Sequence, residues 1–134
     1  MNPLSIAQVI VGHLKQQDAL SLINSNIFIQ RVPPNTTLPY LRVIVDKMAS
    51  QTYDQHPADT HAVMKLTLVC NLSDGSEQLI AIHNAITTQL NKKQLVFQNQ
   101  TNQRLIQCWH EHTHQPDVEH DRIELTSDWQ IRSI

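Results

Sequence analysis

Residues 110–120 read His110-Glu111-His112-Thr113-His114-Gln115-Pro116-Asp117-Val118-Glu119-His120. No other stretch of the chain gathers so many groups able to bind metal or move protons. The string contains H-E-x-x-H, with His120 at the spacing of a third ligand. On a helix, His110 and His114 stand one turn apart on one face. That geometry grips zinc while Glu111 activates the metal's water. The corresponding reading is a small zinc-dependent hydrolase with His110, His114 and His120 as ligands and Glu111 as base.

The elements that must position these groups argue against it. The spacing is that of metzincin proteases and of a small family of zinc-dependent ribonucleases, but Leu105–Trp109 is strand-like and Pro116 blocks helix continuation. Position 117 is Asp where a metzincin turn wants glycine, no methionine follows, and only 14 residues remain after His120. On a strand, His110, His112 and His114 instead share one face, where the expected role is a solvated hairpin end with at most adventitious or assembly metal. No metal, cofactor or catalytic residue is therefore assigned, and the chain is expected not to be an enzyme. The other candidates are weaker. Nothing marks a nucleophile elbow or an activated thiol. His83, beside the apolar face of the long helix, reads as a boundary residue of that face, His56 and His61 as solvated flanks of a loop, and Trp109 and Trp129 as core in preference to interface anchors. Cys70 and Cys108 form no C-x-x-C and read as two buried thiols of a reducing compartment.

Composition narrows the field further. The chain has 134 residues and a formal charge of −2, the size of one domain with a folded surface of about 7,200 Å². It holds 2 glycines, too few for any glycine-rich phosphate cradle. The longest uninterrupted apolar run is the four residues 79–82, so no membrane helix is expected, and the N-terminus lacks the basic start of a signal peptide. With acidic and basic groups nearly balanced, no nucleic-acid partner is implied. Charged residues make up 16% of the chain, while Gln and Asn together number 24. With amides covering much of the surface, faces can meet while desolvating few ions.

The periodicities predict an α+β fold in the order ααβββαβββ, a mostly antiparallel (mixed) sheet with helices packed on one face. Asn2 and Pro3 open a helix whose Leu4, Ala7, Val11 and Leu14 share a face with Ile10 beside them. Asp18 can cap a second, short helix. Strands follow at Ile27–Ile29, at Tyr40–Met48 and at His61–Cys70, where Ala62, Met64, Leu66, Leu68 and Cys70 face one way. The length of the last suggests an end projecting beyond the sheet. Residues 46–60 form a long mobile loop, polar and without period over 49–60. Asp74 and Glu77 make a capping-box start for a helix carrying Leu79, Ile82, Ile86 and Leu90. Extended segments at 95–98, 104–110 and 122–131 close the chain, with residues 111–121 as the turn of the last hairpin. There is no repeat and no linker, so residues 1–134 make one domain.

Three local strings in this order resemble the tail terminators of long-tailed phages, a tail-completion family. They are Leu38-Pro39-Tyr40 leading into the strand Leu41–Val45, an alternating strand running into a helix (His61–Leu72 into Ser76–Leu90), and a Pro-Asp turn, Gln115-Pro116-Asp117, before the closing strand Asp121–Arg132. Many relatives have glycine after the Pro-Asp pair; here Val118 follows. The resemblance spans nearly the whole chain. It implies a structural virion protein of a phage or prophage that forms a ring, typically a hexamer, on the head-proximal end of the tail tube. Such a ring stops polymerisation of the tube protein and offers a face to the head-completion (stopper) protein. Another neck or connector component is the sister reading. Assembly would take place in the host cytoplasm, and the 46–60 loop would order on assembly, which nominates Asp46, Lys47, Tyr53, Asp54, Asp59 and His61 as interface residues.

Overall fold

The computed structural model describes residues 3–23, 25–47, 61–98 and 103–133. Helix α1 spans Pro3–Lys15 and buries Ile6, Ala7, Ile10, Val11 and Leu14. Its buried stripe is centred on Ile6, Ile10 and Leu14 at i, i+4, i+8. Leu4, expected on that stripe, is 53% exposed, and Ile6 takes its place. The expected second helix is no more than a 3-10 turn, Asp18–Leu20. Gln17 rather than Asp18 stands at its N-cap, with no side-chain cap. Three residues cannot build an i→i+4 ladder, and the chain turns at once to bury Leu20 and Ile23 and reach the sheet.

Strand β1 (Ile27–Ile29) lies parallel to β2 (Tyr40–Lys47), with Ile27 beside Leu41. The Asn26 side-chain amide donates to the carbonyls of Thr37 and Pro39 and so ties down the connection between them. Strand β3 (His61–Asn71) is antiparallel to β2 on one side and to β7 (Arg122–Ser133) on the other. No end of β3 projects: every residue from His61 to Asn71 has a partner in β7. The length is used in a ladder that matches Ala62, Met64, Leu66, Leu68 and Cys70 with Ile131, Trp129, Ser127, Leu125 and Ile123.

Helix α2 (Gly75–Leu90) buries Leu79, Ile82, Ile86 and Leu90, as the spacing predicts. Its start differs from a capping box. A 3-10 turn, Leu72–Asp74, precedes it, so Asp74 already has helical φ and ψ (−81°, −3°) and makes no side-chain cap. Capping needs an extended N-cap residue; here the chain instead enters through Gly75 at φ 76°, a conformation that costs glycine little.

The C-terminal part has four strands, not three: β4 (Gln94–Gln98), β5 (Gln103–Thr113), β6 (Asp117–Glu119) and β7. The region 111–121 is therefore mostly strand, and the hairpin turn is the pair His120-Asp121, closed by Glu119 opposite Arg122. Pro116, which has no N–H to donate, sits where β5 breaks and β6 resumes the ladder along β7. The strand order is β1-β2-β3-β7-β5-β4, antiparallel except for β1–β2, with β6 on β7. Helix α1 touches β1 and β2 at one edge of this order and β4 at the other, so the sheet curls. Helix α2 packs on β3, β5 and β7. Both helices fill the inner face of a mixed, curled sheet, an α+β fold with one continuous core. No helix among the described residues is long and apolar enough to cross a membrane.

Candidate functional site

The histidine string runs along β5 and into the β6–β7 hairpin, and one irregularity decides what it can do. His110 pairs with Trp129 but His112 pairs with Asp128. Glu111 is thus an extra residue, a β-bulge. A bulge sends the residues on either side of it to opposite faces. The expectation that His110, His112 and His114 share a face is therefore wrong. His110 stands on the inner face with Trp129, whereas His112 and His114 stand on the outer face with Asp128.

On the inner face, the His110 ring meets that of Trp129 edge-on at 5.2 Å and that of His83 at 6.0 Å. Thr113 joins the two histidines: its Oγ1 lies 2.7 Å from His110 Nε2 and 3.4 Å from His83 Nε2. His83 comes from α2, so this chain crosses the α2–β5 interface. Beneath it, Trp129, fully buried, donates from Nε1 to Ser127 Oγ at 2.9 Å. The unpaired edge of β5 is closed by Asn91, just past α2, whose Oδ1 accepts the His110 N–H at 3.0 Å. Burial, with the His110 charge adding to it, holds the His83 pKa below the ordinary histidine value.

On the outer face, His112 and His114 meet edge to face at 4.7 Å, and His114 Nε2 lies 2.7 Å from Asp128 Oδ2. Glu111 accepts from Gln130 Nε2 at 2.8 Å. His120 lies in the hairpin turn at φ 54°, beside Glu119. The structure thus scatters the proposed zinc set: His110 is on the inner face, His114 on the outer face, His120 at the turn, and Glu111 is engaged by Gln130. Among the described residues no three His, Cys, Asp or Glu side chains converge on a metal position.

His83 borders the apolar face of α2, as its sequence position predicts, and is half-buried; its link to His110 through Thr113 is not visible in the sequence. The only signal for that link is the bulge, which spacing does not reveal. Trp129 is core as expected; Trp109, on the outer face beside Gln130, is half-buried. Both cysteines are free and buried. Burial, reinforced by Asp74, raises the Cys70 thiol to about 11, and burial alone raises Cys108 to about 12. Neither is a nucleophile at neutral pH. Of the nominated interface residues, Asp46, Lys47 and His61 come together at one end of the β2–β3 ladder, where Lys47 pairs with Ala62; Tyr53, Asp54 and Asp59 lie outside the described residues.

No family model and no curated protein matches the sequence. The fold does match. A solved chain from the virion of a native gene transfer agent particle superposes with a TM-score of 0.76 at 14% identity, over 96% of this chain and 93% of that one. A second solved structure superposes with a TM-score of 0.65, also at 14% identity, over 98% of this chain and 92% of its own length. This chain thus shares, almost end to end, the fold of a chain of a gene transfer agent virion.

Proposed function

We propose that this chain is a structural assembly protein of a phage-type particle, a tail terminator that closes the head-proximal end of the tail tube as a ring, most simply of six subunits. The observation that carries the reading is the near full-length match in fold to a chain of a gene transfer agent virion. The local strings that resemble tail terminators support the finer assignment. In this reading the partners are further copies of the chain, the tail tube protein and the head-completion protein, its place is the neck of the particle, and it performs no catalysis.

The surface suits such a role. A ring needs heterologous contacts, in which one patch meets a different patch of the next copy. Among the described residues, Asp74, Glu77, Asp117, Glu119, Asp121 and Glu124 gather around the α2 N-terminus and the β6–β7 hairpin, with Arg122 among them. At the far end of α2, where His13 Nε2 meets the Gln89 carbonyl, stand Lys15, Lys92 and Lys93. Opposite charge at the two ends of the longest helix favours head-to-tail contact over self-apposition of like ends. The test is sedimentation and negative-stain microscopy of the full chain, alone and mixed with assembled phage tail tubes. Closed rings, or caps on tube ends that arrest growth, are the expected result. A chain that stays monomeric at high concentration and leaves tube length unchanged refutes the assignment.

A further inference from the structure

We infer that His83, Thr113 and His110 form an acid-sensitive latch that holds α2 against β5 while at most one of the two imidazoles is protonated. The inference rests on hydrogen-bond arithmetic at Thr113. Its hydroxyl has one proton to give, and its oxygen faces both His110 Nε2 (2.7 Å) and His83 Nε2 (3.4 Å). With both rings neutral, one Nε2–H donates to the oxygen and the hydroxyl donates to the other Nε2. A first proton is accommodated by running the chain toward the ring that remains neutral. A second proton makes both Nε2 atoms donors. The oxygen can then accept from both, but the Thr113 hydroxyl proton loses its imidazole acceptor, and two cationic rings face each other at 6.0 Å.

Among the described residues, no carboxylate forms an ion pair with either ring. From β7 the neighbours are Trp129 and Ser127, both neutral, with Trp129 Nε1 donating to Ser127 Oγ. Just past the end of α2, Asn91 uses its Oδ1 on the His110 backbone N–H. The carboxylates closest along the strands, Glu111 and Asp128, are on the outer face, held by Gln130 and His114. On α2 itself, the His83 carbonyl accepts from Thr87 Oγ1. His110 is the charge that bears on His83, and it opposes protonation, as does burial.

The sign follows from linkage. His83 binds its proton more weakly folded than unfolded, so the unfolded chain takes up more protons as pH falls. Its contribution is intact above the unfolded histidine value of about 6.5 and is lost as pH falls below it. The His114–Asp128 pair lies on the other face, and substitution separates the latch from it.

The experiment uses the full chain. Imidazole NMR signals are titrated from pH 8 to 4.5, hydrogen exchange is followed for the amides of α2 and β5, and thermal midpoints are taken at both ends of the range. His83 is expected to titrate below 6.5, with faster exchange over 83–90 and 110–113 setting in as the second ring protonates. The midpoint is expected to fall by about 4 °C or more in acid, and His83→Gln to remove at least half of that fall while His112→Gln leaves it unchanged. Both rings titrating at ordinary values with unchanged exchange overturns the latch, as does an undiminished acid fall in His83→Gln. If His83→Gln fails to fold, the ring titration and amide exchange of the unsubstituted chain decide the matter alone.

Discussion

The two faces of β5 on either side of Glu111 carry the same residue type in opposite physical settings. His110, inside, packs against a fully buried Trp129 and reaches α2 through Thr113. His112 and His114, outside, lie in solvent, where His114 meets Asp128 with side chains 47% and 33% exposed. The two settings differ in what a proton meets: within the fold a second cation leaves the Thr113 hydroxyl proton without its imidazole acceptor, whereas outside an imidazole faces a carboxylate. A single extra residue therefore decides whether a histidine is part of the packing between helix and sheet or part of the surface. The hydrogen-bonding and metal-binding possibilities of a sequence string depend on that decision more than on the spacing itself.

The sharpest way to break the comparison is to delete residues from β5. Removing one residue from a regular strand sends every later side chain to the wrong face. Deleting Gln107 should do this to Cys108 and His110 and abolish cooperative folding, seen as loss of the near-ultraviolet spectrum and of a sigmoidal urea transition. Deleting Glu111 removes the bulge itself. His110 stays inside and His112 stays outside, and the cost is the bulge geometry and the bond from Gln130, about 1 kcal/mol. Equal damage from both deletions would show that the bulge does not set the faces.

The tryptophans probe the same boundary at lower cost. Trp129→Ala opens a cavity under His110 and should lose about 3–5 kcal/mol in urea unfolding. Trp109→Ala, on the half-buried outer face, should lose about 1–2 kcal/mol. Next come the histidines themselves. His110→Ala leaves Thr113 without its nearer partner and uncovers Trp129, an expected loss of about 1–2 kcal/mol at pH 7.5. His112→Ala should stay within about 0.5 kcal/mol, as surface changes do. A reversal of either order would place the packed face on the wrong side of β5.

Much of this architecture was legible before the fold was known. Leu79, Ile82, Ile86 and Leu90 mark the buried stripe of α2, and Ala62 to Cys70 the inner face of β3, because each pattern repeats at the period of its own element and needs no partner to be read. The places where reading failed depend on partners. The Glu111 bulge exists because β5 must keep step with Trp129 and Asp128 on β7 while α2 and Asn91 close its edge. Strand β6 is three exposed residues given order by β7. Asp74 looks like a cap, but the preceding 3-10 turn has already set its dihedrals. Leu4 fits the helical spacing yet faces solvent, because the centre of the buried stripe is set by what α1 lies on. For the candidate site, the residue types were visible, and the division between two faces was not.

The smallest effect is also the most discriminating. Asp128→Asn keeps the shape and the hydrogen-bonding reach of the side chain that meets His114 and removes only its charge. The bond to a carboxylate is charge-assisted, but its exposure limits it to about 0.5 kcal/mol, reduced further by salt. Asp128→Asn should therefore be weakly destabilising in low salt and silent in high salt. His83→Gln should respond to pH instead, improving relative to the unsubstituted chain as pH falls. Because the two pairs lie back to back across β5, the double substitution should give the sum of the two effects if the faces act independently. A departure from that sum would mean that the strand transmits charge state from one face to the other through the bulge at Glu111.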